Sequence, residues 1–315
     1  MADVIAAMGP AFLGSRLKRL AEQFQAGAAR VIERTGMPVQ PAHMPLIAAL
    51  QGGPMAVGAL AQAVGTSQPG VTRSIRQLAD LGLVRSERAA DRRERRVALT
   101  EAGEALVGRC RKIIWPPVER VVEAMCEQLD GPVIAQLASL EAQLADRSLD
   151  ARVAAILRDE IAICDFADDL APDFHRINAE WIESMFVMEE TDRRVLEHPR
   201  ETIIDRGGAI LFARSPTLGV LGTCALRKTG KGAFELTKMG VVPEARGLRA
   251  GEMLLHAALD RAEALGARKL YLLTSSKCAT AIHLYEKHGF RHDAQILEEH
   301  GREYGRCDVA MRYAG

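Results

Sequence analysis

The sequence predicts a multidomain α+β chain, with a mostly helical N-terminal domain over residues 1–150 and a mixed α/β domain over residues 151–315. Three observations carry that prediction. A length of 315 residues, at roughly 100 to 200 per domain, gives about two domains, each large enough to bury a core. Apolar side chains make up 48% of the chain and charged ones 26%, a globular balance that excludes a disordered or collagen-like polymer. Apolar residues recur at helical spacing over most of the first half, whereas strand and helix patterns alternate after residue 153.

Lys plus Arg and Asp plus Glu both total 41, so the formal net charge is zero, which taken alone argues against a polycation built for nucleic acid or anionic lipid. Residues 1–150 carry 18 basic and 16 acidic side chains and residues 151–315 carry 23 and 25, so the halves barely differ. Within Arg73 to Arg96, however, eight arginines face only four acids, and the average hides a local basic patch. No apolar run approaches the ~18 residues of a membrane helix, so no membrane partner is expected. The N-terminal MADVIAAMGPAFLG carries Asp3 and lacks a basic start, and reads as a helix or arm rather than a signal peptide. Six cysteines without CxxC spacing, and eight histidines without an HxH or HExxH group, predict a reducing cytoplasmic setting with no disulfide framework and no metal site.

Met55 to Leu83 reads as two short helices around a turn. Val57, Leu60, Ala61 and Val64 follow helical spacing, and Gly65 supplies the left-handed residue that ends a helix. Ser67 is a good N-cap for the second helix, and Pro69 is tolerated in its first turn. Val71, Ile75 and Leu78 stand at i, i+4 and i+7 and face the core, which leaves Gln68, Thr72, Arg73 and Arg76 on the outer face. A polar, Arg-bearing second helix after a tight Gly turn is the arrangement that enters a DNA major groove. A strand signal at Gly82 to Ser86, the charged tip AADRRERR and a return strand at Val97 to Thr100 then complete a winged helix. An Arg-rich tip is narrow enough for the minor groove, where the negative potential is deepest.

These residues, LAQAVGTSQPGVTRSIRQLADLGLVRSERAADRRERRVALTEAGEAL, resemble the MarR family of transcriptional regulators over about residues 10 to 147. Asp91 and Arg93 match the Asp-x-Arg of that family's wing, and LTEAG at Leu99 to Gly103 matches the start of its next helix; Arg92 departs from a frequent Pro. The resemblance implies a homodimer held by N- and C-terminal helices on a pseudo-palindromic double-stranded DNA operator, with Gln68, Thr72, Arg73, Arg76, Asp91, Arg93 and Arg95 as the DNA-binding residues. Residues Glu101 to Leu149 are helical in pattern, with breaks expected at Trp115-Pro116-Pro117 and Asp130-Gly131-Pro132, and the domain boundary falls near Asp150.

In the second half, strands are predicted at Glu160 to Cys164, Ala209 to Arg214, Gly219 to Leu226, Phe234 to Val242 and Lys269 to Thr274, with further closing strands. Helices are predicted around Phe174 to Met185, Thr191 to Glu197, Ala250 to Leu265 and Ala279 to His288. KMGVVPEARGLRAGEMLL, Lys238 to Leu255, takes a strand through a turn into a helix whose first N–H groups form an anion site.

Val241-Val242-Pro243-x-x-Arg246-Gly247-x-x-x-Gly251, followed 34 residues after Gly251 by Tyr285 within AIHLYEKHGF, resembles the GNAT acetyltransferase family over about residues 158 to 313. The C-terminal domain is thus GNAT-like, and the resemblance implies acetyl-CoA as the acetyl donor, with Val241, Val242, Arg246, Gly247, Leu248, Arg249, Ala250 and Gly251 as its binding residues. It also implies direct attack of a neutral amine on the thioester, which needs a base, donors for the carbonyl oxygen and an acid for the thiolate. Tyr285 matches the family's tyrosine beside the sulfur and is the candidate acid; Glu235, on the strand upstream, is the candidate base. Arg249 replaces the loop's first glycine and Cys278 stands where many members carry Asn.

Trp181, Phe186, Glu189 and Glu190 suggest a partly acidic pocket for a cationic amine acceptor. The combined reading is a bifunctional transcriptional regulator and N-acetyltransferase. Two alternatives remain open at this point: a regulator whose second domain only senses acetyl-CoA or a metabolite, and an acetyltransferase whose helical domain only dimerises it.

Overall fold

The computed structural model describes residues 3–88, 95–301 and 304–315. The chain divides into two compact units, Met1–Ala138 and Ser139–Gly315.

The first unit opens with α1 (Val4–Ala7), capped by the Asp3 carboxylate, and the 22-residue α2 (Leu13–Arg34), and continues through α3 (Met44–Ala49). A short strand β1 (Met55–Ala56) leads into α4 (Val57–Ala63) and α5 (Gln68–Asp80). Gly65, between the two helices, has φ +63°, the left-handed conformation expected of it. Leu60, Val71 and Leu78 are fully buried at the junction of the two helices, so the predicted spacing does set the core face.

The wing strands β2 (Val84–Arg88) and β3 (Arg95–Leu99) pair antiparallel, from Val84 opposite Leu99 to Arg88 opposite Arg95. Met55 and Ala56, read from sequence as the start of a helix, instead add a third strand against Val97 and Arg96. The pairing with β3 explains the difference, because it takes these two residues into the wing sheet and leaves the helix to start at Val57.

Thr100 caps α6 (Glu101–Arg109): its hydroxyl oxygen accepts from Gly103 N at 3.1 Å, and its O–H donates to Gly82 O at 2.7 Å. Gly103 is required by close approach, since a Cβ there would lie 2.1 Å from the Leu83 carbonyl oxygen. At the first expected break the helical path persists. A π-helical turn at Cys110–Ile114, closed by Trp115 N–H on Cys110 O, carries the chain into α7 (Trp115–Cys126) with Pro116 and Pro117 in its first turn, where no N–H is needed. The second break stands, with Asp130 to Pro132 preceding α8 (Val133–Asp146). The division between units falls inside α8, whereas the boundary read from sequence, Asp150, falls inside α9 (Leu149–Asp159).

The second unit is built on a seven-stranded sheet in the order β4-β5-β6-β7-β8-β10-β9. In chain order its elements are β4 (Ala162–Asp165), α10 (Ala171–Met185), α11 (Glu190–Glu197), β5 (Ala209–Ser215), β6 (Gly219–Gly230) and β7 (Ala233–Val241). Then come α12 (Ala250–Ala264), β8 (Lys269–Thr274), α13 (Ala279–Lys287), β9 (Phe290–His292), α14 (Ala294–His300) and β10 (Val309–Tyr313). Helix α14 was not foreseen, because its short Ala-Gln-Ile-Leu-Glu-Glu-His stretch buries only Ile296, with Leu297 partly covered, too little to show a helical period. α12 buries Leu254, Leu255 and Ala258 against the sheet together with Leu221 and Leu236.

Two irregularities position the site. β7 and β8 are the parallel pair, and their ladder runs from Ala233 opposite Lys269 to Leu236 opposite Leu272 and stops there, although β7 continues to Val241. Past Leu236 the strands part. In the same stretch β6 and β7 lose register between Thr223 and Ala225, which face Gly240 and Thr237. The one extra residue on β7 forms a bulge, and Lys238 within it has φ +49°, a left-handed conformation that an L-residue holds only under outside constraint. Thr223 supplies part of that constraint: its hydroxyl donates to Lys238 O at 3.1 Å and accepts from the buried Asn178 Nδ2 at 3.0 Å.

Candidate functional site

On the first unit, Gln68, Thr72, Arg73 and Arg76 are all exposed along α5, opposite buried Val71 and Leu78. The helix brings together the four outer-face residues read from sequence. The wing residues Asp91 and Arg93 lie outside the described residues; Arg95 is in β3, on the backbone ladder opposite Arg88.

On the second unit, the parting of β7 and β8 opens a cleft of about 810 Å³. Its floor is the free stretch of β7, Thr237 to Val241, which has side-by-side backbone groups without a β8 partner. One wall is the loop and first turn of α12, the other is α13, which carries Tyr285. Gly247 in the loop has φ +80°, and Arg249, immediately before α12, has φ +60°. Arg249 therefore adopts the backbone conformation of the glycine it replaces, with its side chain turned out to solvent and 67% exposed. The turn keeps its shape, and the first N–H groups of α12 remain without intrahelical partners.

Of the eight residues proposed for acetyl-CoA, Val241, Arg246, Gly247, Arg249, Ala250 and Gly251 line the cleft. Val242 and Leu248 are corrected: both side chains pack into the core, and their N–H groups already bond Leu221 O at 2.9 Å and Ala245 O at 3.1 Å. The donor set suits a pyrophosphate, with helix-end amides flanked by the Arg246, Arg249 and Lys287 cations. The unpaired edge of β7 suits the amides of a pantetheine arm.

Tyr285 is buried in the cleft wall, with its hydroxyl 3.6 Å from Met239 Sδ. Burial pushes its phenol pKa well above the ordinary value, and the neighbouring Cys224 and Cys278 thiols add to the shift. The phenol is held in its protonated form. Glu235 is the second correction. It is buried, it does not line the cleft, and its Oε2 accepts from Arg227 Nε at 2.8 Å and from Arg227 Nη2. On the part of β7 that is still paired with β8, before the bulge, its carboxylate serves an ion pair across the β6–β7 ladder.

The acceptor region differs from the expectation in sign. Trp181 and Phe186 line the cleft, but Glu189 and Glu190 do not. Among the described residues, the cleft lining contains no Asp or Glu at all. Glu189 instead accepts from Gly305 N and Arg306 Nη1, both at 3.2 Å. Arg306 is a site residue that pattern reading missed, because it approaches from the loop before β10, far along the chain from α10 and α11.

With Lys238 it encloses Asp192 on α11: Lys238 Nζ donates to Oδ1 at 2.5 Å, and Arg306 donates to Oδ2 at 2.5 Å and Oδ1 at 2.9 Å. Burial raises the Asp192 carboxyl, but hydrogen bonds and charge from Arg306 and Lys238 outweigh it and hold the group below the usual carboxylate range. Burial in turn lowers the Lys238 ammonium, opposed by its pairing with Asp192. Cys307 is kept a neutral thiol by burial, its pKa pushed up to about 11. Cys278, immediately before α13, is a buried member of the cleft wall. Glu252, His256 and His288 each bring one ligand atom within 4.8 Å of the others, but Glu252 is already bonded to Lys287 Nζ at 2.6 Å.

Residues 169–290 match the model of the acetyltransferase (GNAT) family, and residues 35–94 match that of the MarR family. An uncharacterized N-acetyltransferase of Schizosaccharomyces pombe is 30% identical over 123 residues, which are 38% of this chain and 75% of the yeast protein. Among solved structures, a GNAT-family acetyltransferase from Staphylococcus aureus Mu50 aligns over 49% of this chain and 98% of its own, at 19% identity and a TM-score of 0.45. An acetyltransferase from Streptococcus agalactiae aligns over the same shares at 17% identity and a TM-score of 0.41. The matched segment spans the free stretch of β7, the Arg246-Gly247 loop and Tyr285, all at one cleft, and the yeast relative is matched over three quarters of its length. The chain belongs to the GNAT acetyltransferase family and is an N-acetyltransferase that also carries a MarR-family region.

Proposed function

We propose that the protein is bifunctional: a homodimeric, operator-binding regulator through residues 1–150 and an acetyl-CoA-dependent N-acetyltransferase through residues 151–315, working in the cytoplasm. The observation that carries the enzymatic half is the cleft itself, where a splayed strand edge, a cation-flanked helix end and a buried phenol converge. Acetyl-CoA supplies the acetyl thioester. Arg246, Arg249 and the first amides of α12 bind its pyrophosphate, and the backbone of β7 from Thr237 to Val241 aligns the pantetheine arm. The acceptor amine attacks the carbonyl carbon directly as a C–N bond forms and the C–S bond breaks. Tyr285 donates its proton to the departing sulfur. The ammonium gives one proton to cleft water before attack, a route favoured over Glu235 because Arg227 occupies that carboxylate, and the second proton, released as the amide forms, returns through water to the Tyr285 phenolate.

The regulatory half rests on the exposed Gln68, Thr72, Arg73 and Arg76 face of α5, with Asp91, Arg93 and Arg95 retained for the wing. The cleft's complete donor set and the accommodated Arg249 favour an enzyme over a sensor that has lost catalysis. Purified protein is tested for CoA release with an amine panel, and for binding to DNA from its own promoter region at several salt concentrations. CoA release and steeply salt-dependent, sequence-selective binding are the expected results. CoA release without DNA binding would leave only a dimerising role for the helical domain; DNA binding that responds to acetyl-CoA without turnover would identify a sensor.

A further inference from the structure

The acceptor end of the cleft is built as an anion subsite. Lys238, Lys277 and Arg306 all line it, and they are joined by two aromatic rings. Arg306 stands 5.0 Å from the centroid of Tyr304 and 5.8 Å from that of Phe186, Lys238 stands 4.9 Å from Tyr304, and Lys277 stands 5.6 Å from Phe186. Their counter-charges lie behind them. Asp192 is wholly buried and Glu189 is turned into the Arg306 contact, so a ligand in the cleft meets the cations and not the carboxylates. Lys277 has no carboxylate partner among the described residues. Three bonds to Glu189 and Asp192 fix the Arg306 guanidinium, which has five N–H donors, so the fork is held rigid with donors to spare. The left-handed bulge at Lys238 brings the third cation to the same place at the expense of backbone strain.

We propose that the acetyl acceptor is an amine bearing a carboxylate, bound with that carboxylate at Arg306 and Lys277 and its apolar portion against Trp181 and Phe186. Polycationic amines are excluded by the same charges. This inference rests on the acetyltransferase reading of the cleft and refines it. In the reaction the ammonium first gives one proton to water, the neutral nitrogen then forms the C–N bond as the C–S bond breaks, Tyr285 protonates the leaving thiolate and the second nitrogen proton restores the phenol; the carboxylate is unchanged.

The test compares L-phenylalanine, L-phenylalaninamide and phenethylamine, and L-methionine with 3-(methylthio)propylamine, as acceptors for the full-length protein. The amide controls for amine basicity, because its amine is more readily neutral than that of the amino acid. Carboxylated acceptors are expected to exceed their uncharged counterparts in kcat/KM by at least about tenfold, as a charge-assisted contact implies. Lys277→Ala and Arg306→Gln are each expected to bring that ratio toward one; Lys277, held only by a ring contact, gives the variant least prone to misfolding.

Binding of N-acetyl-L-phenylalanine against N-phenethylacetamide to CoA-saturated protein reads the same preference without turnover. Acetylation that favours the decarboxylated amines, or equal binding of the two acetamides, overturns the anion subsite and leaves acetyl transfer standing. Absence of CoA release with every amine overturns the acetyl-transfer reading, and the acetamide comparison then decides the subsite alone.

Discussion

Tyr285 and Asp192 show what single residues contribute to this cleft. Tyr285 was legible in the LYEK motif, and its burial beside Met239 gives a reason for the phenol to remain protonated. Tyr285→Phe is expected to lower kcat by about 10²-fold with little change in the KM for acetyl-CoA, because it removes a proton donor and keeps the ring; steady-state kinetics check this. Asp192 was invisible to pattern reading, since an acid in Glu-Thr-Asp-Arg on a polar helix resembles a solvated charge.

Its carboxyl is held below the usual range in the folded protein, so the unfolded chain binds more protons on the acid side. The stability it contributes is full above the ordinary carboxylate pKa of about 4 and is lost as pH falls through the lower folded value. Asp192→Asn is expected to destabilise the second unit by about 3–5 kcal/mol near neutral pH, because two cations lose their buried counter-ion. Its loss of Tm on acidification will be shallower than that of the wild type, as calorimetry at a series of pH values would register.

At the scale of elements, two short stretches illustrate how local chemistry constrains the fold. The LTEAG segment turns the wing into α6 by a threonine cap and a glycine packed on the Leu83 carbonyl. Gly103→Ala places a methyl group 2.1 Å from that oxygen, and a loss of about 1–3 kcal/mol is expected in urea unfolding, in contrast to the usual gain for Gly to Ala in a helix. Helix α5 presents Arg73 on its outer face, and Arg73→Ala is expected to relax sequence preference by about 1–3 kcal/mol at one base pair if it reads a guanine edge. A competition assay against operator variants would detect that, and a uniform loss over all sequences would instead mark a phosphate contact. The strand β7 was predicted to within one residue at each end, but its bulge was not, because register is set by β6 across the sheet and leaves no mark in an alternating apolar pattern.

For the whole molecule, the exposed apolar residues belong to particular helices. Leu13, Leu17, Leu20 and Phe24 follow helical spacing on α2, and Ile134, Leu137, Leu140 and Leu144 do so on α8, with all eight exposed in the single chain. Such faces fit the proposed homodimer. Leu17→Glu combined with Leu20→Glu is expected to yield a monomer by sedimentation, and with it a loss of two-site operator binding, while CoA release persists if the cleft is complete within one chain. The zero net charge misled only as an average: six cations line the cleft while the carboxylates that pair with several of them stand outside its described lining, and eight arginines cluster between Arg73 and Arg96.

The sequence alone determined the two architectures, the order of nearly all elements, the outer face of α5, and the loop and tyrosine of the acetyltransferase. These are encoded by residues close together in the chain, through helical period, capping and glycine conformations. Only the tertiary structure decided that Glu235 faces Arg227 and that Val242 and Leu248 belong to the core. It also decided that the acceptor end is cationic, because that end joins Lys238 and Arg306 around Asp192 and adds Lys277 over Phe186, all from distant segments. Charge sign at a site depends on which partners are buried behind it, and burial across such distances is a property of the packed molecule.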